Sequence, residues 1–98
     1  MKTVTVNEVN EKLLLGESLN ILDVREVAEV QKEKIPSAVN IPLRLLEFRM
    51  NELDKKKQYY VICQSGGRSS QAVQFLEYQG YNVININGGM LDWNGSIE

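Results

Sequence analysis

Short β-rich apolar runs alternate with stretches of helical periodicity along the chain, the pattern of an α/β domain with a largely parallel sheet. Thr3 to Val6 is a first β-type run. Asn7 is placed to cap the helix that follows, in which Val9, Leu13 and Leu14 share a face and Gly16 supplies a stop. Leu19 to Val24 is apolar, too short for a helix, and runs into charge at Asp23, Arg25 and Glu26. A weakly amphipathic helix over Val27 to Lys32 is broken by Pro36. Ala38 to Ile41 then makes another short strand, closed by Pro42. Arg44 to Leu53 spreads Leu45, Leu46, Phe48, Met50 and Leu53 over one broad helical face. The charged run Asp54-Lys55-Lys56-Lys57 reads as a solvated loop.

Tyr59 to Cys63 is the strongest strand signal: aromatic, β-branched and almost wholly apolar, as suits a central strand covered on both faces. From about Arg68 the period changes. Ala72, Val73, Phe75, Leu76 and Gln79 extend a helix that Gly80 ends. Val83 to Ile86 makes a last strand, and Gly88-Gly89 turns into a short helix containing Trp93. No repeat, linker or low-complexity segment interrupts the 98 residues, so the expectation is one domain over 1–98.

Composition changes this picture mainly by exclusion. Apolar residues at 43 % and charged residues at 24 % are an ordinary globular mixture. The single cysteine forbids an internal disulfide, and with no histidine the chain cannot assemble a structural zinc site. A net charge of −2 offers no footprint for nucleic acid or an anionic membrane. The start Met-Lys-Thr-Val-Thr-Val-Asn lacks the apolar core of a signal peptide, and no apolar run approaches membrane-spanning length. A cytoplasmic, monomeric protein without cofactor is the expectation.

The chemistry concentrates in Cys63-Gln64-Ser65-Gly66-Gly67-Arg68-Ser69, between the strongest strand and a well-marked helix. Ligands of open α/β sheets bind beyond the carboxyl ends of the strands, which is where this segment falls. Two adjacent glycines permit a tight loop whose amides turn inward around an anion, and the helix start adds unpaired amides. A lone cysteine at a strand end is by itself most often a small buried hydrophobe. The Gly-rich loop and the arginine at the helix start shift the reading to a thiolate with a depressed pKa. Without histidine, its activation must be electrostatic. Four residues separate Cys63 from Arg68, one fewer than in the Cys-x5-Arg loop of cysteine-dependent phosphatases. The tighter loop suits a single sulfur atom better than a tetrahedral phosphate.

With these residues in view, the chain resembles the rhodanese-like family. Cys63 to Arg68 is similar to its six-residue active loop, Asp23-Val24-Arg25-Glu26 to its first motif, Ile35 to Pro42 to its second, and Gly88 to Trp93 to its last. The resemblance implies a five-stranded, mainly parallel sheet with helices on both faces. It also implies sulfurtransferase activity: Cys63 takes a sulfane sulfur from a donor such as thiosulfate, holds it as a persulfide, and passes it to cyanide in assay or to a thiol or protein in the cell.

The amides from Gln64 through Ser65, Gly66 and Gly67 to Arg68 would form the cradle. Arg68 either meets an anionic donor or ties the loop down, and Ser65 and Ser69 either hold the persulfide or cap the helix. Asp23 and Arg25 would order the loop from the neighbouring strand, and Trp93 would pack as core or lid. The second motif departs from the family's frequent Gly-His-Ile-Pro-Gly-Ala, reading Glu33-Lys34-Ile35-Pro36-Ser37-Ala38. Arg68 is the loop's one cation, which predicts modest activity with thiosulfate. A sulfur-carrier or interaction module is the alternative function. A phosphatase or arsenate reductase is disfavoured by the short loop and by the lack of a second cysteine.

Overall fold

Strands and helices alternate throughout residues 1–98 of the computed structural model. They are β1 (Thr3–Thr5), α1 (Val6–Leu14), β2 (Asn20–Asp23), α2 (Val27–Lys32), β3 (Val39–Asn40), α3 (Leu46–Arg49), β4 (Gln58–Ile62), α4 (Gly67–Tyr78), β5 (Asn82–Asn87) and α5 (Gly89–Asp92). The strands form one sheet in the order β1-β5-β4-β2-β3, every pair parallel. The run Tyr59 to Cys63 thus lies in and just beyond the central strand, as its apolar composition predicts.

Strand alternation sorts the core into two layers. Tyr59, Val61 and Cys63 point to the α4 side, where they pack with Leu22, Val24, Ala72, Val73, Leu76 and Val83. Tyr60 and Ile62 point the other way, toward Val6, Val9, Ile84, Ile86 and Met90 from α1, β5 and α5. Helices therefore cover both faces. Helix α2 buries no side chain and serves as a rim at the strand ends instead of a layer.

Three local expectations are corrected. The cap of α1 is Thr5, not Asn7: the Thr5 hydroxyl accepts the Glu8 amide at 3.1 Å, and the Glu8 carboxylate accepts the Thr5 amide at 3.2 Å. The Thr-x-x-Glu box satisfies two orphan amides at once, which Asn7 cannot match from inside the first turn. The stretch Arg44 to Leu53 is not one helix. Tight 3-10 turns at Leu43–Leu45 and Met50–Glu52 flank the four residues of α3. Its apolar residues do not lie on a single stripe, and the tightened turns let Leu43, Leu46, Met50 and Leu53 all reach the core while Phe48 stays outside. Trp93 falls just beyond α5, half-buried against the α1-side core, with its indole N–H donated to the Ser96 carbonyl at 3.1 Å. No helix is long and apolar enough to cross a membrane.

Candidate active site

The site forms where β2 and β4 end side by side. Asp23 registers with Ile62, and the Val24 amide donates to the Ile62 carbonyl, so Cys63 leaves the sheet next to Asp23-Val24-Arg25. The loop then turns at Gly66, whose φ of +110° is open to glycine and costly for other residues. This turn points the Gly66 amide at Cys63 Sγ, 3.0 Å away. The thiol itself donates to Ser69 Oγ at 3.3 Å, and that hydroxyl donates to the Gly66 carbonyl at 3.1 Å.

Cys63 is only 1 % exposed, and burial alone pushes its thiol up. Hydrogen bonding with the Ser69 hydroxyl and from the amides of Ser69, Gly66 and Ser65 outweighs burial and leaves the thiol below its ordinary value. The Ser69 hydroxyl is free to turn from the Gly66 carbonyl to the sulfur once the proton leaves. Replacing Ser69 by Ala removes a donor to the thiolate, so the alkylation rate of Cys63 is expected to rise at a pH about one unit higher than in the parent. Iodoacetamide kinetics across pH measure this. An unmoved inflection would remove Ser69 from the account.

Arg68 is engaged elsewhere. Its guanidinium donates to both Glu29 carboxylate oxygens, at 2.6 and 2.9 Å, and ties the loop to α2. The bidentate bond to Arg68 holds the Glu29 carboxyl down at about 2, so the tether stays ionised through mildly acid solution. The contact the structure shows for Arg68 is this tether to Glu29.

Asp23 and Arg25 form a buried pair beside the loop, exposed by only 1 and 2 %. Arg25 donates from Nε to both Asp23 oxygens, at 3.0 and 3.1 Å, and from a terminal nitrogen at 2.8 Å. The same terminal nitrogen reaches the Glu33 carbonyl at 2.9 Å and so fixes the far end of α2. Asn40 donates to the Asp23 and Arg25 carbonyls, both at 2.9 Å. Neither charge of the pair meets Cys63; the pair holds the wall on which α2 stands.

From the other side, the Met90 and Leu91 amides donate to the Cys63 and Gln64 carbonyls at 2.9 and 3.0 Å. That approach requires glycine at 89: a Cβ there would lie 2.4 Å from the Cys63 carbonyl oxygen. Gln64 is half-buried, and Ser65 and Gly67 stand exposed on the rim.

A model of the rhodanese-like domain matches residues 5–96. The chain belongs to the rhodanese-like family. Among its relatives is YrkF of Bacillus subtilis, provisionally named a sulfur carrier protein, 45 % identical over 96 residues. That match takes in 97 % of this chain but 52 % of the relative, so the chain spans about half of YrkF. YtwF of the same organism, provisionally named a sulfurtransferase, is 39 % identical over 98 residues, covering all of this chain and 95 % of its own. The crystal structure of a rhodanese-like domain protein from Staphylococcus aureus superposes with a TM-score of 0.94 at 35 % identity, covering all of this chain and 97 % of that one.

Two features of this rhodanese-like chain, one at the site and one away from it, escaped the sequence reading. Glu29 lies 39 positions from Arg68, and no local pattern links the two. Ser37 occupies a left-handed conformation, φ 67°, where the family pattern often has glycine, at a backbone cost of about 1 kcal/mol. That departure from the motif was visible as a residue change but not as strain.

Proposed function

We propose that this rhodanese-like chain is a sulfurtransferase that carries a sulfane sulfur as a persulfide on Cys63. The observation that carries the reading is the Cys63 sulfur held 3.0 Å from the Gly66 amide, inside a loop that closes after four intervening residues. The amides of the loop stabilise negative charge on that sulfur without any histidine.

In the first step the Cys63 thiolate attacks the outer sulfur of the donor. The Sγ–S bond forms as the donor's S–S bond breaks, and the donor remnant (sulfite, when thiosulfate is the donor) leaves with the electron pair. The amides of Ser65, Gly66 and Ser69 are the groups placed to receive charge on the persulfide, and Gln64 and Gly67 complete the loop. A thiophilic acceptor then attacks the outer sulfur and regenerates the thiolate. Arg68, Asp23 and Arg25 act by positioning, through Glu29 and the Glu33 carbonyl. Donor and acceptor are small sulfur compounds, thiols or a protein, and the reaction is placed in the cytoplasm.

A carrier with slow turnover on small donors is the second reading. The occupied Arg68 favours it, because the loop then offers a small dianion no free charge.

Incubation with thiosulfate is expected to add roughly 32 Da to the intact protein, lost on reduction. Discharge to cyanide over many turnovers distinguishes an enzyme from a carrier. A protein that gains no sulfur from thiosulfate, from a small persulfide or from a persulfidated protein would overturn the proposal.

A further inference from the structure

Beside the active loop lies a cavity of about 420 Å³ with no hydrophobic lining residue, bounded by Arg25, Glu29, Lys32, Glu33 and Gln64. Its charges fall into two groups. Arg25 is neutralised by Asp23, and Glu29 by Arg68. Lys32 and Glu33, at the end of α2, have no ion-pair partner and are exposed. Gln64, the residue after the nucleophile, closes the wall on the loop side and adds an uncharged donor and acceptor.

The cavity thus offers one unpaired cation, one unpaired anion and an amide, against the loop that carries the nucleophile. A small dianion gains from Lys32 and loses to Glu33. A donor carrying both an ammonium and a carboxylate gains from both. The volume, several times that needed for one sulfur atom, suits an amino-acid-sized body.

We infer that Lys32 and Glu33 form a donor subsite that selects amino-acid-based persulfides, with cysteine persulfide as the simplest member, over thiosulfate. This rests on the sulfur-transfer reading above and adds the class of donor. The subsite holds the zwitterionic end while the outer sulfur meets Cys63. The Cys63 thiolate forms the new S–S bond to that sulfur, the old S–S bond breaks, and cysteine leaves as its thiolate and takes a proton from water. The sulfane sulfur keeps its oxidation state, so neither oxidant nor reductant is needed.

The two charges make opposite demands on the two donors, and that supplies the test. Rates of cyanide-dependent turnover are measured with cysteine persulfide, N-acetylcysteine persulfide and thiosulfate, for the parent, Lys32→Gln and Glu33→Gln. Both side chains lie outside the loop. With cysteine persulfide, each variant is expected to raise KM by roughly two- to fivefold at unchanged kcat, an effect of the size exposed charges have. With thiosulfate, Lys32→Gln raises KM and Glu33→Gln lowers it. N-acetylcysteine persulfide, which lacks the ammonium, follows thiosulfate.

A Glu33→Gln variant that moves KM the same way for cysteine persulfide and thiosulfate overturns the inference, as do two variants that move neither. In those outcomes the parent still transfers sulfur, and the proposed function stands. A parent that takes no sulfur onto Cys63 from any of the three donors overturns the inference, and failure with a persulfidated protein as well overturns the proposed function.

Discussion

Cys63→Ser is expected to lose all reducible sulfur adduct and at least about a thousandfold of the turnover while keeping its fold. The chain has one cysteine, so no other thiolate can form the persulfide. Serine in its place has a hydroxyl that stays protonated in ordinary solution, and no histidine is present to take the proton. The four hydrogen-bonding groups that lower the thiol have nothing charged to act on. The replacement is close in size at a position 1 % exposed, and the Gly66 amide still has an acceptor, so the loss of stability is expected to be about 1 kcal/mol. Intact mass after exposure to donor, read beside a thermal melt, separates lost chemistry from lost structure. An undiminished adduct on the serine variant would remove Cys63 from the mechanism.

The second large effect is on stability. Asp23→Asn leaves the Arg25 guanidinium buried with the Glu33 carbonyl and a neutral amide where it had a carboxylate. Breaking one partner of a buried pair costs about 3–5 kcal/mol, a large share of the total of about 5–15 kcal/mol for a domain of this kind. A fall in Tm of about 15 °C or more follows. The cost comes mostly from the stranded charge, so replacing both residues together, as in Asp23→Leu with Arg25→Met, is expected to recover most of it. A single variant that melts within a few degrees of the parent would show that water reaches Arg25.

Where the sequence was legible, local and global demands agreed. Tyr59 to Cys63 is apolar at every position because β4 has neighbours on both edges and helices on both faces. The expected helix from Val27 to Lys32 has the bounds of α2. The cysteine, the glycine pair and the helix start are consecutive, so the cradle could be read from one short segment.

Legibility failed where contacts are distant or shape outranks pattern. Glu29 gave no sign that it would hold Arg68, since a carboxylate in a helix's first turn has a local explanation as well. The segment from Arg44 to Leu53 has helical composition, but which of its leucines meets the core is decided by β4 and α4, not by its own spacing. Thr5 was legible and overlooked: its Thr-x-x-Glu pattern is a local signal stronger than an asparagine at the next position but one.

The strand order carries a consequence for how the chain comes together. β1, the first strand of the domain, pairs only with β5, its last, and β5 must itself lie against β4. β1 therefore has no strand to pair with until β5 is in place. Until Asn82–Asn87 has been synthesised, Thr3–Thr5 has no partner and Ile84 and Ile86 have not yet covered Val6 and Val9. Native pairing across nearly the whole chain means a high contact order and slow closure by the standard of small helical proteins. A chain in which β5 has not yet formed leaves Val6 and Val9 without Ile84 and Ile86 to cover them, and apolar surface exposed in that way is prone to aggregate.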